Sequence, residues 1–311
     1  MRKIALLAVV AFAAACGGSS STPTGYLRVA NLSPDLAGMD FCITAAGGTI
    51  SAPVMASVGN ATGLLYDVGT AGARAGLKQM SRYFGYAPGT YTVTIMSTAP
   101  GGSCAAGSAV ASGSVTLTDG GYKTVALVGS AGTVASGAVP FTVTSFTDEV
   151  SVATTSVAIR FSNQTLLPTG QSVPAFIAGI PWNIGLTIPG GHTSLFTNIA
   201  YPGIAEVLPG GKVDPQGYVT LSTSEIPAGS LSLYVCPTPF DPATVVLPYR
   251  CGSFLVPAGQ IKGGTIASAY MIGGAGITSG TYTQTGLFCG DVTSGQIASD
   301  GNYSACTAAI Q

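Results

Sequence analysis

Bulky apolar and small polar side chains alternate along much of the chain in short runs. In Gly89-Thr90-Tyr91-Thr92-Val93-Thr94-Ile95 every second residue is large and apolar or aromatic, with threonines between, which is the period of a strand with one face on a core. Ser114-Val115-Thr116-Leu117-Thr118 repeats the pattern and ends at an Asp119-Gly120-Gly121 turn, and Leu27-Arg28-Val29 is a shorter version. Gly and Pro punctuate these runs about every ten residues, which predicts an all-β sandwich or barrel. No stretch makes a convincing helix; the one candidate is 73–82, where Arg74, Lys78 and Arg82 recur at four-residue spacing, and it is too short and too broken by glycine for more than a turn or two.

The strand-like runs recur in the same order. Arg28-Val29-Ala30-Asn31 returns as Arg160-Phe161-Ser162-Asn163, each arginine preceded by an apolar residue, Leu27 or Ile159. "APGTYTV" at 87–93 is answered by "PAGSLSL" at 227–233, "VALVGSAG" at 125–132 by "AYMIGGAG" at 269–276, and "SFTDEV" at 145–150 by "LFCGDV" at 287–292. Four matches in one order predict two copies of one β-domain, at 26–150 and 157–292, with a linker at 151–156 and a tail at 293–311. The second copy is lengthened mainly between residues 164 and 226.

Composition narrows the class. Only 7% of the 311 residues are charged, whereas 47% are hydrophobic and Gly alone numbers 44, so exposed faces must carry hydroxyls instead of Lys and Glu. That argues against a helical protein, and the alternating apolar content argues against disorder. With a net charge of −1 the chain offers no basic patch for nucleic acid.

Before the first alternating run, Arg2 and Lys3 precede an uninterrupted apolar stretch from Ile4 to Ala15. It falls short of the roughly 20 residues of a spanning helix and reads as a signal peptide over 1–15. Ala13-Ala14-Ala15-Cys16 resembles the lipobox of bacterial lipoproteins, which implies a lipidated Cys16 and anchoring in the membrane through that lipid. Residues 16–25 then predict a flexible tether, since Gly17 to Gly25 holds only Gly, Ser, Thr and Pro. The competing reading is an ordinary secretory signal with an incidental cysteine. Gly17 stands where an aspartate would signal inner-membrane retention in enterobacteria, so the resemblance favours the outer membrane, with the periplasmic or outward face left open.

Setting Cys16 aside leaves Cys42, Cys104, Cys236, Cys251, Cys289 and Cys306, an even set suited to an oxidising compartment. Six cysteines allow many connectivities, and proximity favours Cys42 with Cys104, Cys236 with Cys251 and Cys289 with Cys306. Closing loops of about 15 residues adds about 3 kcal/mol each by restricting the unfolded chain. A metal site does not fit the spacing, because there is no CxxC pair and His192 is near no cysteine in sequence.

"LRVANLSPD", "SRYFGYAPGTYTV" and "LTDGGYKTVALVG" together resemble the bacterial domain of unknown function 4397, over roughly residues 25–148. In the second copy the likeness is weaker, since Ser81-Arg82-Tyr83 has no clean counterpart there. Members of that family are often tandem, envelope-exposed and lipid-anchored. The resemblance implies two tandem immunoglobulin-like antiparallel β-sandwich domains, and it brings neither an enzymatic activity nor catalytic residues.

No G-x-S-x-G elbow, HExxH helix, P-loop or GxGxxG is present. A Ser-His-Asp triad would have to use His192, with Ser194 nearby and no acid that can be placed beside them. Carboxylate pairs at Asp35 and Asp40, Asp148 and Glu149, and Asp291 and Asp300 could serve glycoside hydrolysis only if held roughly 5 to 10 Å apart in a cleft. They read more simply as turn residues, and calcium at Asp291 and Asp300 has no EF-hand or RTX spacing behind it. Arg28 and Arg160 occupy equivalent strand positions and are expected to pair with a carboxylate or carbonyl of an adjacent strand, or else to form a ligand site common to both domains. Tyr83, Phe84, Tyr86 and Tyr91 could form a sugar-stacking platform, a core cluster or a tyrosine corner, and Trp182 lies in the insertion. The expectation is a non-catalytic, lipid-anchored envelope module without cofactor that binds a polysaccharide or protein. The alternative is a hydrolase of envelope polymers.

Overall fold

A computed structural model describes residues 22–33, 36–65, 74–75, 78–98, 104, 109–129, 133–134, 137–138, 140–164, 182–188, 191–199, 203–204, 213–226, 231–237, 252–256, 261–273, 284–291, 301, 303–304 and 306–309. Cys16 with the signal peptide and most of the tether, Asp35, Cys251 and Asp300 lie outside the described residues. The first half of the chain carries β1 (Gly25–Asn31), β2 (Gly38–Ala45), a single helical turn α1 (Val54–Ser57), β3 (Leu64–Leu65), β4 (Arg74–Ala75), β5 (Phe84–Tyr86), β6 (Gly89–Ser97), β7 (Ala109–Leu117), β8 (Tyr122–Val128), β9 (Thr133–Val134), β10 (Gly137–Ala138) and β11 (Thr142–Asp148). The second carries β12 (Ser156–Asn163), β13 (Trp182–Ile188), β14 (Gly191–Ile199), β15 (Gly203–Ile204), β16 (Tyr218–Ser222), β17 (Leu231–Pro237), β18 (Gly252–Val256), β19 (Ile266–Gly273), β20 (Gln284–Gly290) and β21 (Cys306–Ala309).

Alternation becomes burial as expected: in β6 Val93 and Ile95 are fully buried while Thr90 and Thr92 face outward. The first half forms two open four-stranded sheets, β11-β8-β1-β5 and β3-β2-β6-β7, and a short two-stranded one, β10-β9. Between the two larger sheets lies a core of Leu27, Val29, Phe41, Val93, Val125 and Leu127 among others. In the second half the order β20-β19-β12-β16 repeats the first sheet, and β14-β13-β17-β18 stands where β3-β2-β6-β7 stood. Val157, Ile159, Phe161, Phe196 and Leu233 fill the space between those two. A third apolar cluster joins the halves, with Ala30, Leu32, Ala126, Val128 and Phe146 from one and Tyr270, Ile272, Leu287 and Cys289 from the other. Because β1 sends Leu27 and Val29 one way and Ala30 the other, its sheet is covered on both faces. The architecture is an all-β sandwich fold in four layers, with the two inner sheets face to face.

The pairing is not purely antiparallel. β1 runs parallel to β8, and β12 to β19, while the other described strand pairs are antiparallel. In each half the chain passes through the opposite sheet, by β2, β3, β6 and β7 or by β13, β14, β17 and β18, before it returns, so the first strand and its later neighbour run in the same direction. The weak helical candidate at 73–82 forms no helix in the described part of that stretch, in keeping with its glycine content: Arg74 and Ala75 form β4, and Met80 and Ser81 bridge to Ala30 and Tyr303. Open strand edges offer these residues ladder bonds, which outweigh a few tenths of a kcal/mol from side chains four apart.

Two boundaries also shift. Register places Thr124 opposite Arg28 and Ser268 opposite Arg160, with Phe146 opposite Thr124 and Cys289 opposite Ser268. The equivalent segments are therefore Phe146-Thr147-Asp148 and Cys289-Gly290-Asp291, one residue out from the match of "SFTDEV" with "LFCGDV". The tail expected at 293–311 is pinned by the Cys289–Cys306 disulfide, and its described residues also enter the fold. β21 lies between β20 and β4, so it carries the second half's sheet across to the first, and Tyr303 is buried in the first half's core.

Candidate functional site

Arg28 and Arg160 lie on the face of their strands opposite the apolar side chains, where a single sandwich would show them to solvent. Both are 0% exposed, because these faces are pressed together. Arg28 donates from Nε to Thr124 Oγ1 at 2.7 Å within its own half, from Nη1 to the Gly290 carbonyl at 2.7 Å, and from Nη2 to Asp291 Oδ1 in the other half. Arg160 mirrors it, donating from Nε to Ser268 Oγ at 3.0 Å, from Nη1 to the Thr147 carbonyl at 2.8 Å and from Nη2 to Asp148 Oδ1 at 2.6 Å. Each arginine thus reaches the carboxylate of the other half. The sequence reading had looked for partners on an adjacent strand of the same sheet, and the acceptors lie across the layer boundary instead.

The second carboxylate oxygens are held at home. Asp148 Oδ2 accepts from Tyr83 OH at 2.8 Å and Thr124 Oγ1 at 2.6 Å, and Asp291 Oδ2 accepts from Tyr218 OH at 2.6 Å and Ser268 Oγ at 2.7 Å. Each guanidinium also stacks over a tyrosine of its own half, Arg28 over Tyr83 and Arg160 over Tyr218, both 4.7 Å from the ring centroid. Two positive and two negative charges cancel inside the layer. Burial alone would push the Asp148 carboxyl up, but Arg160, Arg28 and the Thr124 hydroxyl outweigh it and hold that carboxyl below the ordinary aspartate value. Burial likewise disfavours the charged guanidinium of Arg28, yet Tyr83, Asp291 and Asp148 keep it more firmly protonated than usual. Burial pushes the hydroxyls of Tyr83 and Tyr218 up, so both stay neutral donors. All four carboxylate oxygens carry partners, which makes the constellation a clamp between sheets.

Other singled-out residues are spent locally. Asp40 is buried under α1, where Oδ1 accepts from Phe41 N and Met55 N and Oδ2 from Ala56 N, so it caps backbone donors. Glu149 Oε1 accepts from Val150 N at 3.1 Å, beside but outside the clamp. Asp291 was expected to be a turn residue and is a buried ion-pair partner. Tyr83 belongs to the clamp, whereas Tyr86 and Tyr91 pack 5.7 Å apart and Tyr91 OH bonds the Ala87 carbonyl four residues back, as in a tyrosine corner. Burial, with Tyr91 nearby, pushes the Tyr86 hydroxyl up to about 12. Tyr26 and Tyr122 stack at 4.4 Å, a pair not singled out in the sequence.

Trp182 pairs through its backbone with Ile199 and Pro237, and His192 with Thr187; their side chains lie outside the description. Disulfides join Cys42 to Cys104 and Cys289 to Cys306, and Cys236 is also in a disulfide. Among the described residues no group of three or more His, Cys, Asp or Glu is arranged to hold a metal ion. No described helix is long and apolar enough to cross a membrane.

Sequence reasoning missed Thr124, Ser268 and Tyr218. The first two could have been found, since each lies one residue before the matched segments at 125–132 and 269–276. Tyr218 stands where Tyr83 does, stacked on the equivalent arginine, so Tyr83, though not the whole Ser81-Arg82-Tyr83 element, has a counterpart in the second half. A single tyrosine in an otherwise different segment gave too little signal.

No curated protein matches the chain. A crystal structure of a leucine-rich repeat protein from Bacteroides thetaiotaomicron VPI-5482 is similar at 14% identity, over 76% of this chain and 25% of that one, with a TM-score of 0.19. The chain thus spans about a quarter of the length of that protein. Residues 25–169 match the model of a domain family of unknown function, DUF4397, from the first residue of β1 to just beyond β12. Over that span, which takes in Arg28, Tyr83, Thr124, Asp148 and Arg160, the chain resembles the DUF4397 family.

Proposed function

We propose that the chain is a non-catalytic lipoprotein of the bacterial cell envelope, held at the outer membrane by a lipid on Cys16 and presenting a paired β-sandwich unit to a polysaccharide or protein partner. The observation that carries the reading is where the polar chemistry goes. Arg28, Arg160, Asp148 and Asp291 are consumed in fixing one sheet against the other, and Asp40 in capping α1. The repeated strand order and the repeated clamp support the second half as a diverged copy of the first. The described surface carries few charges, Asp119, Glu225 and Lys262 among them, and includes hydroxyl faces such as Thr90 against Thr116, suited to recognition through hydrogen bonds.

Cys16→Ser should move the protein from the membrane to the soluble fraction of fractionated cells; retention with membranes would overturn the anchor. A soluble fragment beginning at Thr22 is then screened on glycan arrays and by pull-down. Turnover of peptidoglycan or envelope glycans by that fragment would replace the binding reading with the hydrolase.

A further inference from the structure

The first half is completed by residues more than two hundred positions away. Residues 79–81 lie along β1, with Asn31 N donating to the Gln79 carbonyl at 2.8 Å and Ser81 N to the Val29 carbonyl at 2.9 Å. Their other edge is taken up by 303–304: Ser304 N donates to the Met80 carbonyl at 3.0 Å and Ser304 Oγ to the Ser81 carbonyl at 2.7 Å. Next to it the Tyr303 ring enters the core, fully buried among the residues packed between the two sheets. Its hydroxyl donates to the Gly63 carbonyl at 2.8 Å, and the Lys78 ammonium stands 5.4 Å from the ring centroid. Gly63 is held at φ +65°, and a Cβ there would stand 2.1 Å from the Met39 carbonyl, so the turn that aims this acceptor depends on glycine.

These features describe a socket with its own specificity: an apolar well ending in a carbonyl for one tyrosine, then a strand edge and a carbonyl for the following serine. The contacts belong to the segment and would be the same whichever copy of the chain supplied it. What assigns it to its own chain is the connection through 292–302 and the Cys289–Cys306 disulfide, whose cysteines lie directly opposite in the β20/β21 ladder. We propose that this socket is a strand-accepting site whose partner is a second copy of the chain, and that without the disulfide latch the 303–309 segments exchange between two copies to form a reciprocal dimer. The occupant follows from the page, since the only ligand chemistry displayed in the socket is this chain's own Tyr-Ser strand. The inference does not depend on the lipid anchor.

The test uses the full chain with Cys289→Ser and Cys306→Ser, refolded over a hundredfold range of protein concentration and examined by size-exclusion chromatography with light scattering. A dimer whose share rises with concentration during refolding, and which is absent from the oxidised parent chain, is expected. Adding Tyr303→Ala should abolish it. A labelled peptide of residues 301–311, with serine in place of Cys306, should compete with dimer formation, and a Tyr303→Phe peptide should compete about tenfold less well through loss of the Gly63 bond. If the double serine chain stays monomeric at every concentration, or if its dimer persists with Tyr303→Ala, the proposal is overturned.

Discussion

Arg160 and Asp148 show how one residue's role depends on what covers it. Both side chains are fully buried, so removing one leaves the other as an uncompensated charge away from water. Arg160→Met should therefore destabilise the protein by about 3–5 kcal/mol in chemical denaturation. A loss below about 1 kcal/mol, typical of exposed pairs, would mean that the face is open to solvent. The same pair sets a pH dependence. Because the Asp148 carboxyl is held below its ordinary value, the folded state binds fewer protons than the unfolded chain near that value. Its contribution is fully present above about pH 4 and is lost as the pH falls through the lowered folded value. Asp148→Asn should flatten that acid limb of the stability curve, and an unchanged limb would assign it to other carboxyls.

At the scale of elements, strand pairing decided what local spacing could not. The alternating threonines and apolar residues of β6 placed Val93 and Ile95 inward with no help from the rest of the fold. The charge spacing at 74, 78 and 82 could support at most a turn or two of helix, and the described part of that stretch joins sheets because strand edges are there to receive it. Turns make the complementary point. Gly63→Ala combines a left-handed backbone with a Cβ driven into the Met39 carbonyl, and it also displaces the acceptor for Tyr303. A loss of more than about 1 kcal/mol in thermal or urea unfolding is expected, larger than the ordinary effect of glycine against alanine. The exposed Gly47, also at positive φ but with open space around it, is the matched control, where Gly47→Ala should cost less.

Among the described residues the halves are bound by the shared apolar cluster, the reciprocal ion pairs, the β21–β4 ladder, and Tyr303 seated in the first core while Cys306 is bonded to Cys289 in the second. Two sandwiches joined only by a linker would melt separately. Here the interface is core, so calorimetry of the oxidised chain should give one transition whose calorimetric and van't Hoff enthalpies agree. Two resolved transitions would show that the inner sheets separate before either sandwich unfolds.

Sequence alone was enough for the all-β class, the strand faces and the resemblance to DUF4397, because these follow from period-two patterning and from motifs along the chain. It also paired Cys42 with Cys104 and Cys289 with Cys306 by proximity, as the structure does. Only the tertiary structure revealed that the two arginines exchange partners across the layer, that Tyr218 stands for Tyr83, and that residues 303–304 belong to the first core. Those contacts join positions separated by up to 263 residues, and their geometry is set by how sheets pack face to face. No local period carries that information, since an outward-facing arginine looks the same in sequence whether solvent or a second sheet lies beyond it.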